Sequence, residues 1–235
     1  MRQQPEQQAP PVQRLRIRYA KRGRLRFTSH RDFSRAFERA IRRADLPMAY
    51  SSGFNPHPRI SYAGAAPTGA ASEAEYLEIG LAEVCDPAVV HSLLAESLPD
   101  GLDVLAVVES PGGSLADRLQ ASHWRVSVRD SAEVIERSAA EFLAAEAVPV
   151  QRMTKRGLRD FDARAAVLSL RVRPDDRGAG LELVLRHQEP AVRPDDVLTG
   201  LARFAGVDLD PAPLLTRLTQ GPLDPDGVSV GDPFA

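Results

Sequence analysis

One cysteine, Cys85, in 235 residues excludes an intramolecular disulfide and, by itself, a multi-cysteine zinc site or a cysteine-ligated iron–sulfur cluster. Any metal would have to be held by histidine and carboxylate. Lysine is nearly absent, with Lys21 and Lys155 the two examples, so the basic charge is arginine. No apolar run approaches the ~18 residues of a membrane span. The opening MRQQPEQQAPPVQ lacks the apolar stretch of a secretory signal, which reads as a cytoplasmic protein without a membrane partner. Aromatics are scarce at 6%, yet 43% hydrophobic and 26% charged residues suit a folded chain with a sizeable core. The length suits two small domains better than one large one.

Charge is unevenly placed. Residues 14–59 hold thirteen basic residues against Asp32, Glu38 and Asp45, a net of +10, which leaves residues 60–235 at −12. A basic head on an acidic body points to a polyanionic or acidic partner, unless pairing inside the molecule neutralises it.

Residues 1–13 and 219–235, rich in Gln and Pro and in Pro, Gly and Asp respectively, read as disordered tails. Between them, Leu15, Ile17 and Tyr19 alternate with arginines as a strand with one buried face, an alternation that Leu25 and Phe27 continue. Ser29 is an N-cap with Asp32 three positions on. Phe33, Ala36, Phe37, Ala40, Ile41 and Ala44 then fall at helical spacing as far as Pro47. Extended runs follow near 60–62, 75–82 and 102–108, with a helix opened by Pro87. This β-α-β-β-α-β order over residues 14–110 predicts a ferredoxin-like α+β sandwich. A linker over 111–120 carries Pro111-Gly112-Gly113, and 121–218 repeats the pattern with at best a short closing strand near 214–218. The expectation is a tandem of two ferredoxin-like domains.

The helix carries the most chemistry. Arg31, Arg35, Arg39 and Arg42 fall in one ~80° sector opposite its apolar stripe, where forked guanidinium groups can follow a phosphate backbone. In a two-layer sandwich Arg14, Arg16 and Arg18 must instead leave from the other face of the sheet. His30 sits at the helix N-terminus, where the dipole favours a neutral imidazole. His57 lies between Pro56 and Pro58 in a rigid loop. These two histidines are expected to converge near Glu75, as candidates for acid–base chemistry or for fixing turns through hydrogen bonds. No spacing marks a metal site. Met48, Phe54 and Trp124 read as core.

The string RFTSHRDFSRAFERAIRRADLPMAYSSGFNPHPRISYAGAAPTGAASEAEYLEIGL carries a resemblance. With Ser29, His30, Asp32, Ser51, Gly53, Phe54, Asn55, Pro56, His57 and Pro58, it is similar to an uncharacterised bacterial family linked to radical SAM proteins, fused to them or encoded beside them. The resemblance is strongest over 13–110 and extends to Lys155, Gly157 and Asp162. Phe33 stands where the family pattern has leucine. The resemblance implies a radical SAM partner, and that partner would carry the iron–sulfur cluster and S-adenosylmethionine, because this chain lacks CxxxCxxC ligands and has no cofactor of its own.

The resulting expectation is a non-catalytic accessory protein that positions structured RNA. Arg31, Arg35, Arg39, Arg42 and Arg59 would meet phosphates, and the Ser51–Pro58 loop with His30 would shape the site. Two other readings stay open: an RNA-processing hydrolase using His30 with His57 or Glu75, and a protein-docking module that binds no nucleic acid.

Overall fold

The computed structural model describes residues 7–154, 157–206 and 209–235. It is a mixed α+β protein whose chain divides between Asp117 and Arg118 into two compact units, Phe234 grouping with the first and Ala235 with the second. Among the described residues no helix is long and apolar enough to cross a membrane.

In the first unit, alternation builds β1 (Gln13–Lys21), followed by α1 (His30–Arg43), β2 (Ile60–Ala63), β3 (Ala71–Leu81), α2 (Pro87–Ser97) and β4 (Val104–Glu109). The strands lie in the order β4-β1-β3-β2, and each neighbouring pair is antiparallel. Leu15, Ile17 and Tyr19 of β1 and Leu77 and Ile79 of β3 meet Phe33, Phe37 and Ile41 of α1 and Val90 and Leu94 of α2 in one apolar layer. Each such side chain contributes about 1.5–3 kcal/mol by leaving water. Ser29 caps α1 by accepting from the Asp32 amide and donating its hydroxyl to the Asp32 carboxylate. The helix ends in a Schellman turn, with Leu46 N–H bonded to the Ile41 carbonyl and Asp45 N–H to that of Arg42. Asp45 takes the left-handed conformation there, at φ +49°.

Leu25 and Phe27 do not extend β1. Gly23–Phe27 is a 3-10 turn in which Leu25 is partly buried and Phe27 is 60% exposed. The pairing with the β4 side runs on through Ala20 and Arg22, whose N–H groups bond to the Asp103 and Gly101 carbonyls, and the chain then turns at Gly23, φ +54°, toward α1.

On the face of this sheet away from the helices, Arg16 is completely buried. Its Nε donates to Glu78 at 3.1 Å, and its Nη2 donates to the carbonyls of Gly112 and Gly113 at 2.8 and 2.9 Å. Those two glycines have φ of +89° and +68°, a conformation that side chains resist and that turns both carbonyls onto one guanidinium. The expected linker is therefore a cap on the sheet, continued by the helical turn α3 (Leu115–Arg118).

The second unit runs β5 (Ala121–Val128), α4 (Ala132–Ala144), β6 (Pro149–Thr154), β7 (Gly157–Asp162), α5 (Ala163–Ala166), β8 (Val167–Asp175), β9 (Gly178–Arg186), α6 (Pro194–Ala205) and β10 (Leu214–Gly221). Its strands lie in the order β10-β5-β9-β8, and β6 and β7 form a separate hairpin between α4 and β8. With that hairpin set aside, the connectivity is that of the first unit. Helices α4 and α6 approach closely at Gly200, where an added Cβ would stand 2.8 Å from the Phe142 ring. Trp124 is buried; its indole N–H donates to Ser122 Oγ, which lies 3.1 Å from His187 Nε2, while His187 Nδ1 meets the Leu119 carbonyl at 2.7 Å. Burial of this ring holds the His187 pKa below the ordinary 6.5, against an opposing effect of the Leu119 carbonyl.

Both expected tails are shorter than the composition suggests. Gln13 already belongs to β1, Val12 N–H bonds to the Leu81 carbonyl and Gln8 N–H to Ser52 Oγ, while residues 1–6 lie outside the described residues. Strand β10 continues through Thr219, Gln220 and Gly221, which pair with His123, Ser122 and Ala121. A turn then brings Leu223 opposite Val230. Backbone pairing orders these polar residues where burial of their own side chains would not.

Candidate nucleic-acid interface

The 3.6-residue period that buries Phe33, Phe37, Ala40 and Ile41 places Arg31, Arg35, Arg39 and Arg42 on the opposite side of α1, and all four are exposed. Arg31, Arg35 and Arg39 recur about every 6 Å along the axis. Among the described residues these three make no ion pair, whereas Arg42 lies 3.7 Å from Glu38 one turn back. On the helix itself, Asp32 is engaged by Ser29.

The basic surface has an aromatic end that the sequence reading missed. Exposed Phe27 carries the Arg26 guanidinium 4.7 Å above its ring, just before α1 begins. The break at Thr28-Ser29 was the available signal, since an aromatic this close to a helix cap need not face the core.

His30 opens α1, exposed, with its ring edge-on to Tyr62 at 4.8 Å between centroids. Tyr62 in turn packs against Phe33, which stacks on Tyr19 at 4.4 Å. The Tyr62 hydroxyl is buried, and among the described residues no hydrogen bond of good geometry reaches it. Burial pushes its pKa above the ordinary 10.0, partly offset by Ser34, whose own hydroxyl donates to the His30 carbonyl. Glu75 is 2% exposed on the helix side of β3 opposite Tyr19, and it accepts from the Ala66 amide. It fastens the loop that follows β2.

His57 does not join them. Because β2 runs parallel to β1, the chain enters β2 at the end where α1 finishes, and the 14-residue helix spans about 21 Å. Pro58 pairs with Tyr50, Arg59 N–H bonds to the Ala49 carbonyl, and Ile60 is in register with Ile79. His57 thus belongs to the C-terminal end of α1 and His30 to its N-terminal end. The expected convergence of the two histidines fails, since a crossover helix puts its own start and the following strand's start at opposite ends of the sheet.

Residues 51–58 form a closed loop. Ser51 N–H bonds to the His57 carbonyl, and Ser51 Oγ accepts from His57 N–H at 3.0 Å. Gly53 at φ +130°, Asn55 and Pro56 make the tip, and Phe54 there is 69% exposed rather than core, unlike Met48 and Trp124. Arg59 donates from Nε to the Tyr50 carbonyl and lines a cavity of about 250 Å³ with Arg14, Ser51, Ser61 and Glu78. This is the sheet face away from α1, so Arg59 cannot share one surface with the helix arginines. Among the described residues, no group of three or more His, Cys, Asp or Glu is placed to hold a metal ion.

In the second half, Gly157 turns the β6–β7 hairpin and Asp162 accepts from the amides of Val148 and Arg164, while Lys155 lies outside the described residues.

The arrangement defines a class before a function: an α+β protein with one arginine-rich helix face. Residues 14–194 match the family model described as an uncharacterized protein conserved in bacteria (DUF2344), and the chain belongs to that family. A search of the curated proteins finds no match.

Proposed function

We propose that the chain is a non-catalytic accessory protein of a radical SAM enzyme and that the outward face of α1 holds structured RNA for that partner to modify. The observation that carries the RNA part is the row of Arg31, Arg35 and Arg39, exposed and without carboxylate partners among the described residues. Phe27 with Arg26 at the head of the row offers a place for an unstacked base. The radical SAM partner rests on the resemblance of residues 13–110, and the iron–sulfur cluster and S-adenosylmethionine would reside on that partner. Each unit is read as a ferredoxin-like sandwich on the strength of the shared strand orders β4-β1-β3-β2 and β10-β5-β9-β8.

The test is a mobility shift of a hairpin RNA across a salt series with wild type and Arg31→Glu/Arg35→Glu/Arg39→Glu. Wild type should bind with affinity that falls steeply with salt, and the triple variant should lose about 2–3 from that slope if each arginine meets one phosphate. Equal binding by the two proteins at low salt would overturn the RNA assignment. Affinity purification from the host should return a radical SAM protein, and its absence would overturn the partner.

A further inference from the structure

The open face of the second sheet carries a set of side chains that the sequence motifs do not touch. Register fixes its rows. Arg125 of β5 stands opposite Glu182 of β9, which stands opposite Arg171 of β8. In the next row His123 stands opposite Val184, and Val184 opposite Ser169; in the row beyond Glu182, Gly180 stands opposite Arg173. Strand β10 adds Thr219 beside His123. Together with Val228, Ser229 and Val230 as a rim, these residues line a cavity of about 690 Å³. That volume is in the range of small-molecule sites.

The charges there do not cancel. Glu182 is the single carboxylate among the lining residues, and both its oxygens are taken: His123 Nε2 lies 2.7 Å from one, and Arg125 Nε donates to the other at 3.2 Å. Arg171 faces the same carboxylate across the strand pair yet makes no ion pair with it among the described residues. Asp175, two residues from Arg173, accepts from Ser127 Oγ and the Arg177 amide through one oxygen, and Arg177 and Arg125 also act on its charge. Three guanidinium groups and an imidazole thus share one lining carboxylate whose oxygens are both engaged, with Asp175 at the margin, in a concave, partly open space, and like charges side by side on a sheet repel. The equivalent place in the first unit makes the contrast. There Arg16 also stands opposite a glutamate, Glu78, but Ser110, Gly112 and Gly113 close it off. In the second unit no such cap is present among the described residues, and the Arg125 side chain is 57% exposed.

We propose that this face binds a compact anion carrying a phosphate group, gripped by Arg125, Arg171 and Arg173, with Glu182 orienting Arg125 and His123 beneath it. Forked guanidinium donors match phosphate oxygens two at a time, and three of them suit a multiply charged group better than a lone carboxylate. The concavity, about 690 Å³, favours a small molecule over a polymer. The site depends on residues of the second unit alone, so it stands apart from the RNA reading of α1.

Isothermal titration calorimetry of the full chain with inorganic phosphate, pyrophosphate and adenosine 5′-monophosphate tests it, on wild type, Arg171→Gln/Arg173→Gln and Arg35→Gln/Arg39→Gln. Saturable binding of at least one anion at one per chain is expected. Affinity should fall 100-fold or more in the first variant and stay unchanged in the second, with the melting temperature of the first variant preserved because both arginines are exposed. Tighter binding of the nucleotide than of the two inorganic anions would mark a nucleotide source, and equal binding an inorganic one. Absence of saturable heat for all three anions, or equal affinity in wild type and Arg171→Gln/Arg173→Gln, would overturn the site. Retention of the small anions at background level while Arg171→Gln/Arg173→Gln weakens hairpin RNA would overturn it in favour of a polymer surface.

Discussion

Glu78 is the residue on which the first sheet's outer face turns. Burial alone would raise its pKa above the ordinary 4.5, but hydrogen bonds from Ser110, Arg14 and Arg16 outweigh that and leave it lowered. A carboxylate whose folded pKa lies below its unfolded value adds stability that is fully present above the unfolded value. That stability is lost as pH falls through the folded one. Glu78→Gln would strand the Arg16 charge, which has no exposure to water, and should cost about 3 kcal/mol or more at pH 7. Thermal melts of both proteins from pH 7 to pH 3 should converge in acid, as wild-type Glu78 takes up its proton; parallel curves would contradict this account. Asp45 offers the opposite case. It occupies the left-handed position that ends α1 and is exposed, so Asp45→Gly should relieve conformational strain and raise stability by about 0.5–1 kcal/mol in denaturant titrations.

Among elements, α1 was the most legible, because every determinant of it is local. Ser29 supplies the cap, the apolar period runs unbroken from Phe33 to Ala44, and Pro47 forbids continuation. Ser29→Ala should therefore cost about 1 kcal/mol and be readable in an equilibrium melt, and a silent substitution would show that the cap does not hold the helix. Strand β1 was equally plain from its alternation. What failed was everything set by partners distant in sequence. Phe27 continues an apolar alternation on paper, but the chain leaves the extended conformation at Gly23 and winds into a 3-10 turn first. His30 and His57 looked like neighbours in a short stretch of chain, yet the direction of β2 separates them by the length of a helix. Strand β7 was hidden because Gly157–Asp162 is mostly exposed and charged, and it is defined by pairing with β6. The His123, Arg125, Glu182 and Arg171 constellation could not be read at all, since 59 residues separate His123 from Glu182 and only register brings them together.

At the scale of the molecule, the basic head dissolves into a finer pattern. Residues 60–117 contain ten acidic and no basic residues, which cancels the +10 of residues 14–59, so residues 1–117 are neutral overall and residues 118–235 carry the whole −2. Charge is segregated by face, with α1 basic, while Arg14, Arg16 and Arg22 are consumed in ion pairs. A protein with pI ≈ 6.2 should accordingly be retained on heparin at pH 7.5 and low salt, and Arg31→Glu/Arg35→Glu/Arg39→Glu should flow through. Retention of the variant would place the basic surface elsewhere. The two arginine–glutamate pairs also bear on descent. Arg16 and Glu78 are locked under a glycine cap, so neither can be replaced unless both are, and a lineage must cross a deep fitness valley to change them. Arg125 and Glu182 sit in the open, where one partner can drift before the other. If the halves arose by duplication, family members should keep the first pair fixed while the second varies with whatever small anion each of them meets.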